Sequence, residues 1–147
     1  MAQQVNGQET ICGDAGMLDI YMIESDALLV ARPKGVLNAA MTERIVELIE
    51  IKEIAFETGF NRFCDLSRLK GINLLTADIL KLADRRRTFN PNYIHVKSAF
   101  LAIDTLAFGV ARMYERLLNS PRIELSVFSD LRAAAEWLAV RPDCLRL

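Results

Sequence analysis

The 147-residue chain has one histidine, one tryptophan and three cysteines, so it is sparingly equipped for metal or thiol chemistry. Cys12, Cys64 and Cys144 are odd in number, far apart and without a C-x-x-C spacing, which excludes a disulfide framework and a zinc ribbon. With a single imidazole, metal binding would fall to scattered carboxylates such as Asp65, Asp78 and Asp104, which fit strand-end and helix-start roles better. No metal and no cofactor is expected. An excess of one charge sign is also missing. Lys+Arg 18 against Asp+Glu 19 leaves a formal charge of −1, which creates no field to hold a phosphate backbone and argues against nucleic acid as a partner. No apolar run reaches the roughly 18 residues of a membrane span. Residues 1–16 are polar, with neither a basic nor an apolar segment of a secretory signal, and read as a flexible leader. Residues 17–147 then form a single domain, expected in the cytoplasm with reduced thiols. What is present, 52% hydrophobic and 25% charged residues, describes one packed core.

Leu18 to Glu24 alternates loosely, Ser25-Asp26 interrupts, and Leu28-Leu29-Val30-Ala31 resumes, which predicts a β-hairpin ended by Pro33-Lys34-Gly35. Asn38 can cap a helix running to about Thr58, with Met41, Ile45, Leu48 and Ile49 inside and Glu43, Glu47, Glu50, Glu53 and Glu57 outside; Gly59 closes it. Asn61 to Ser67 reads as a third strand. A helix follows from Thr76, ending in Arg85-Arg86-Arg87 and stopped by Asn90-Pro91-Asn92. Ser98 to Ile103 is continuously apolar, as in a strand covered on both faces, and is the expected middle of the sheet. A helix capped by Asp104-Thr105, a strand over Ile123–Phe128 and a helix from Ser129-Asp130 complete the order ββαβαβαβα. The predicted fold is α/β, a five-stranded mixed sheet flanked by four helices joined by right-handed crossovers.

Several strings recur along this frame. Leu28-Leu29-Val30-Ala31-Arg32-Pro33-Lys34-Gly35-Val36-Leu37 leads a strand through a G-x-L turn into the long helix, and Phe63-Cys64-Asp65-Leu66-Ser67 is an apolar strand ending in D-L-S. Phe108-Gly109-Val110-Ala111-Arg112-Met113-Tyr114, then Val127-Phe128-Ser129-Asp130-Leu131, then Ala135-Glu136-Trp137-Leu138 give an A-R-M helix, a V-F strand and a W-L helix. Over about Leu18 to Val140, their order resembles the STAS domain, and more closely its SpoIIAA-like branch of small bacterial proteins. That resemblance implies a regulatory or binding module, not an enzyme. In STAS anti-sigma-factor antagonists the loop before the second helix reads D-S-S-G and is phosphorylated on serine, placing charge at a helix amino end. Here Asn73 stands for the aspartate and Leu74 for the serine, so that switch is absent unless Thr76 substitutes.

The residues leave two readings open. One is a protein-docking module using Lys34, Asn38, Asp65, Asn73, Leu74, Thr76, Asp78 and Thr105 at one edge of the sheet. The other is a carrier of a small apolar ligand or lipid, with a pocket between the sheet and the helices from Thr76 and Thr105. Ile51 and Ile54 lie off the main apolar stripe of their helix, among glutamates. Either the fold covers that helix on two sides, or the pair offers an interface to a partner or to a second copy as a homodimer. A Cys64-His95-Asp104 triad is not supported, because Cys64 falls inside a strand that should be buried and His95 lies toward the far end of the following strand. Arg85-Arg86-Arg87, with Arg112 and Arg116, reads as a solvated cluster or as a local basic patch.

Overall fold

In the computed structural model, which describes residues 5–12, 16–89 and 94–146, alternating strand residues divide between two hydrophobic layers. Leu18, Ile20 and Met22 join Leu29 and Ala31 in one layer, while Tyr21 and Ile23 join Leu28, Val30 and Phe63 in the other. This is the period of two in a pleated strand buried on both sides. β1 (Val5–Cys12) pairs antiparallel with β2 (Gly16–Ile23), and β2 pairs antiparallel with β3 (Leu28–Asn38). After α1 (Ala39–Ala55), β4 (Asn61–Asp65), β6 (Val96–Leu101) and β7 (Ile123–Phe128) continue parallel to β3, in the order β1-β2-β3-β4-β6-β7. β5 (Leu69–Asn73) lies parallel to the second half of β3. α1, α2 (Thr76–Thr88) and α3 (Thr105–Leu118) cover one face, and α4 (Leu131–Leu138) with the 3-10 turn Pro142–Arg146 covers the other.

The α/β class, the mixed sheet and the four helices are as expected, with two further strands. The leader expected over residues 1–16 holds β1, whose backbone pairs with β2 from Val5 to Cys12. β5 was expected as loop, since five residues with a central glycine carry little strand signal. β3 also passes through Pro33 instead of ending there. β4 pairs with β3 only through Ala31 and β5 joins only from Gly35, so the proline's missing N–H falls in the gap between two partners. β6 is covered on both faces but lies next to β7 at the end of the order, and β3 and β4 hold the middle.

The helix ends follow capping chemistry. Asn38 Oδ1 accepts from Met41 N at 2.9 Å, Asp104 Oδ1 from Leu106 N at 3.2 Å and Asp130 Oδ1 from Arg132 N at 3.2 Å. The helix expected from Thr76 begins at that residue, and Asp78 supplies its cap by accepting from Leu75 N at 2.8 Å. α1 ends at Ala55, and Gly59 instead turns the chain toward β4 with φ +80°. A Cβ there would stand 2.6 Å from Ile94 Cγ2, so only glycine fits. The Asn90-Pro91-Asn92 stop lies outside the described residues.

Candidate functional site

Between the sheet and the three helices on its first face lies a cavity of about 110 Å³. Its floor follows the strand period: Leu29 and Ala31 on β3, Cys64 on β4, Phe100 on β6 and Leu125 on β7. Its roof follows the helix period, with Ile45 and Ile49 from α1, Ile79 and Leu82 from α2, and Val110, Ala111 and Tyr114 from α3. The lining is almost wholly apolar. At one end it changes character, where Arg62, Ser98, Arg86 and Tyr114 join the wall. Arg62 on β4 is the register partner of Ser98 on β6, so both reach the same face of the sheet.

The arginines at that end belong to a buried ionic cluster. Arg86 Nη1 donates to Glu53 Oε1 at 2.8 Å and to Glu50 Oε2 at 3.3 Å, while its Nη2 donates to Glu53 Oε2 at 2.8 Å. Arg62 Nη1 donates to Glu53 Oε2 at 3.1 Å and its Nη2 to the Phe60 carbonyl at 3.2 Å. Arg122 Nη1 stands 3.5 Å from Glu53 Oε2, and Arg85 pairs with Glu50 at 2.7 Å from a more exposed position. Burial alone would raise the Glu53 carboxyl. Hydrogen bonds and charge from Arg86 and Arg62 override it, so the group is held below the usual carboxylate range. Burial pulls Arg62 down to about 10 against the attraction of Glu53, and pushes the Tyr114 phenol up to about 12, so that phenol keeps its proton at neutral pH.

Sequence patterning missed this cluster. Glu50 and Glu53 were expected on the solvent side of α1 and Arg86 in a solvated run, yet they are 8%, 6% and 3% exposed. The helical wheel is correct about their side of α1; that side packs against arginines of β4 and α2. The available signal was the pairing of two glutamates at i, i+3 with an arginine run one helix later.

The eight residues expected at a docking edge do not form one surface. Asn38 and Asn73 are register partners of β3 and β5 and lie side by side, while Leu74 turns into the cavity wall. Asn73, Thr76 and Thr105 are exposed. Asn38 and Asp78 serve as caps, and Lys34 Nζ pairs with Asp19 at 2.7 Å. Asp65 is buried on the other side of the molecule's chemistry: it accepts from Ser67 N at 2.9 Å and Ser67 Oγ at 2.6 Å, and stands 3.6 Å from Arg32 Nε. Arg32, 2% exposed, also donates from Nη1 to Tyr21 Oη at 2.7 Å and from Nη2 to the Leu145 carbonyl, fastening the C-terminal turn. Ile51 and Ile54 are 58% and 63% exposed, so the arginine packing that covers Glu50 and Glu53 stops short of the strip of α1 that carries them.

The Cys64-His95-Asp104 triad is not assembled. His95 precedes β6 and Asp104 follows it, with about 16 Å of strand between. Burial and the adjacent Asp65 push the Cys64 thiol far up, which removes its thiolate. Among the described residues no group of three metal-ligating side chains converges, and no helix is long and apolar enough to cross a membrane.

No family model matches the sequence, and the comparison with curated proteins found no significant match. Among solved structures, an uncharacterised protein of the DUF3478 family from Shewanella loihica, described as having a SpoIIAA-like fold, superposes with a TM-score of 0.52. The match covers 94% of this chain and 96% of that one, at 18% identity. The fold is SpoIIAA-like. That agrees with the resemblance in the strand and helix strings, and at this identity it concerns architecture alone. In the SpoIIAA-like frame the loop before α2 carries Leu74 as a cavity-lining residue, which explains why an apolar side chain occupies it.

Proposed function

We propose that this SpoIIAA-like domain is a non-enzymatic binding protein that holds a small apolar ligand between its sheet and the helices α1, α2 and α3. The observation that carries this reading is the cavity of about 110 Å³ with an almost continuous apolar lining. Native cores are packed to crystal-like density with few voids larger than water, so a void this size in the layer with the most helices is a departure that a ligand site accounts for. Native mass spectrometry of protein purified without detergent tests it. A mass above that of the polypeptide, lost on denaturation and matched to an apolar compound, is expected. An unliganded mass alone, with no displaceable binding of an apolar fluorescent probe, refutes it. The free thiols Cys64 and Cys144 suit a reducing compartment, and the proposal places the protein in the cytoplasm.

Ile51 and Ile54 favour a second reading, contact with a protein partner or a second copy through the outer side of α1. Sedimentation velocity of wild type against Ile51→Lys decides it for the homodimer: an unchanged monomer in both rejects self-association.

A further inference from the structure

The polar end of the cavity presents two hydroxyls, one from its floor and one from its roof. Ser98 comes from β6 and Tyr114 from α3, and both line the space. Neither hydroxyl bonds to another described residue, and neither is wholly enclosed by protein atoms, so each keeps surface open to the cavity. They meet at one end. Ser98 is the register partner of Arg62, and the charges of Arg86 and Arg62 act on the Tyr114 phenol. The Tyr114 ring also stands edge-on to Phe100, with 5.9 Å between centroids, and Phe100 follows Ser98 by one pleat on the same face of β6. Buried hydroxyls normally have partners, so this pair marks a place where an oxygen belongs.

Resting on the reading of the cavity as a ligand site, we infer that its occupant is a small neutral molecule, a short ketone or alcohol, whose one oxygen accepts from Tyr114 Oη and Ser98 Oγ while its hydrocarbon body fills the apolar remainder. The donors set the class. Burial pushes the Tyr114 phenol up to about 12, so it serves as a neutral donor, as Ser98 does. The Nη groups of Arg62 and Arg86 are already given to Glu50, Glu53 and the Phe60 carbonyl. A carboxylate would exchange its hydration for two neutral hydrogen bonds and lose by it, whereas a pure hydrocarbon would leave both hydroxyls unmet. The volume limits the body: an engineered cavity of about 150 Å³ holds benzene, so about 110 Å³ takes a chain of a few carbons or a small ring and has no room for a diacyl lipid.

Amide-resolved NMR titration of the full chain with cyclopentanone, cyclopentane and butanoate tests the inference. The first two share a ring and differ by the oxygen, and butanoate carries a carboxylate on a body of like size. Shifts at cavity-lining amides are expected, with butanoate bound at least about tenfold more weakly than cyclopentanone. Tyr114→Phe and Ser98→Ala each remove one hydroxyl and should each weaken cyclopentanone about three- to tenfold, the usual worth of one hydrogen bond, while cyclopentane stays within about twofold. Cyclopentanone affinity unchanged in both variants overturns the oxygen assignment and leaves the apolar-ligand reading standing. Butanoate bound as tightly as cyclopentanone overturns the neutral class. If none of the three perturbs the cavity amides, both the inference and the proposed function fall. Should one variant not fold, the other decides the role of the hydroxyls.

Discussion

Ala111→Leu tests whether the space under α3 is a true void. Ala111 is 2% exposed, lines the cavity, and sits in the middle of α3, where leucine and alanine have nearly equal helix propensity. Two routes give the size of the effect. Scaling cavity volume by about 24 cal/mol per Å³ assigns the void a cost of about 2.6 kcal/mol, taking its volume as about 110 Å³. Counting instead the three added carbons at about 0.8 kcal/mol each gives about 2.4 kcal/mol. The two agree because leucine nearly fills the space. Imperfect shape returns about 1 kcal/mol as strain, leaving a net stabilisation of about 1–2 kcal/mol. Urea denaturation should then show the midpoint rising by about 0.5–1 M at unchanged slope. The same variant should lose binding of apolar probes, so stability and binding move in opposite directions. A midpoint lowered by an amount corresponding to about 1 kcal/mol or more, with binding intact, would refute the reasoning, since overpacking of an already filled core produces that result.

The other predictions concern the polar clusters and the thiol. Glu53→Gln strips Arg62 and Arg86 of their shared counter-charge and should cost about 3–5 kcal/mol by chemical denaturation at neutral pH. Because the folded Glu53 pKa lies below its unfolded value, its ionic contribution is complete above the unfolded carboxylate range and fades as pH falls through the folded value. Glu53→Gln should therefore show a shallower loss of stability in acid than wild type; parallel acid curves would exclude that contribution. Arg32→Met should release the Pro142–Arg146 turn, seen as faster amide exchange at Cys144 and Leu145 with β6 still protected; equal protection of both segments would contradict it. In a Cys12→Ser, Cys144→Ala background, Cys64 should react with a thiol reagent no faster than the protein opens, because burial holds its thiol protonated. A fast reaction in native buffer would show the site to be accessible.

Local chemistry was the part of the fold that could be read in the sequence. Asn38, Asp104 and Asp130 announce helix starts because a cap involves residues only two or three apart. The two-sided burial of β6 could be read from its continuous apolar run for the same reason. Features made by distant partners could not. Glu53 meets Arg86 across 33 residues, and periodicity reports which side of α1 a glutamate occupies, never what packs there. β5 escapes notice because its strand character comes from the free edge that β3 presents beyond Pro33. The cavity was anticipated in its layer, between the sheet and the helices from Thr76 and Thr105. Its volume depends on how side chains from seven elements fail to meet, which no single segment encodes.

The pairing of Val5–Cys12 with β2 has a consequence for behaviour in solution. β2 reads Gly-Met-Leu-Asp-Ile-Tyr-Met-Ile, with Leu18, Ile20, Tyr21, Met22 and Ile23 all buried and one carboxylate, Asp19, to discourage mispairing. Without β1 this long apolar strand would end the sheet with open N–H and C=O groups, the template on which chains add to one another and aggregate. β1 thus covers that edge: a protease cut after Cys12 that released it would leave the β2 edge open to pairing with another chain.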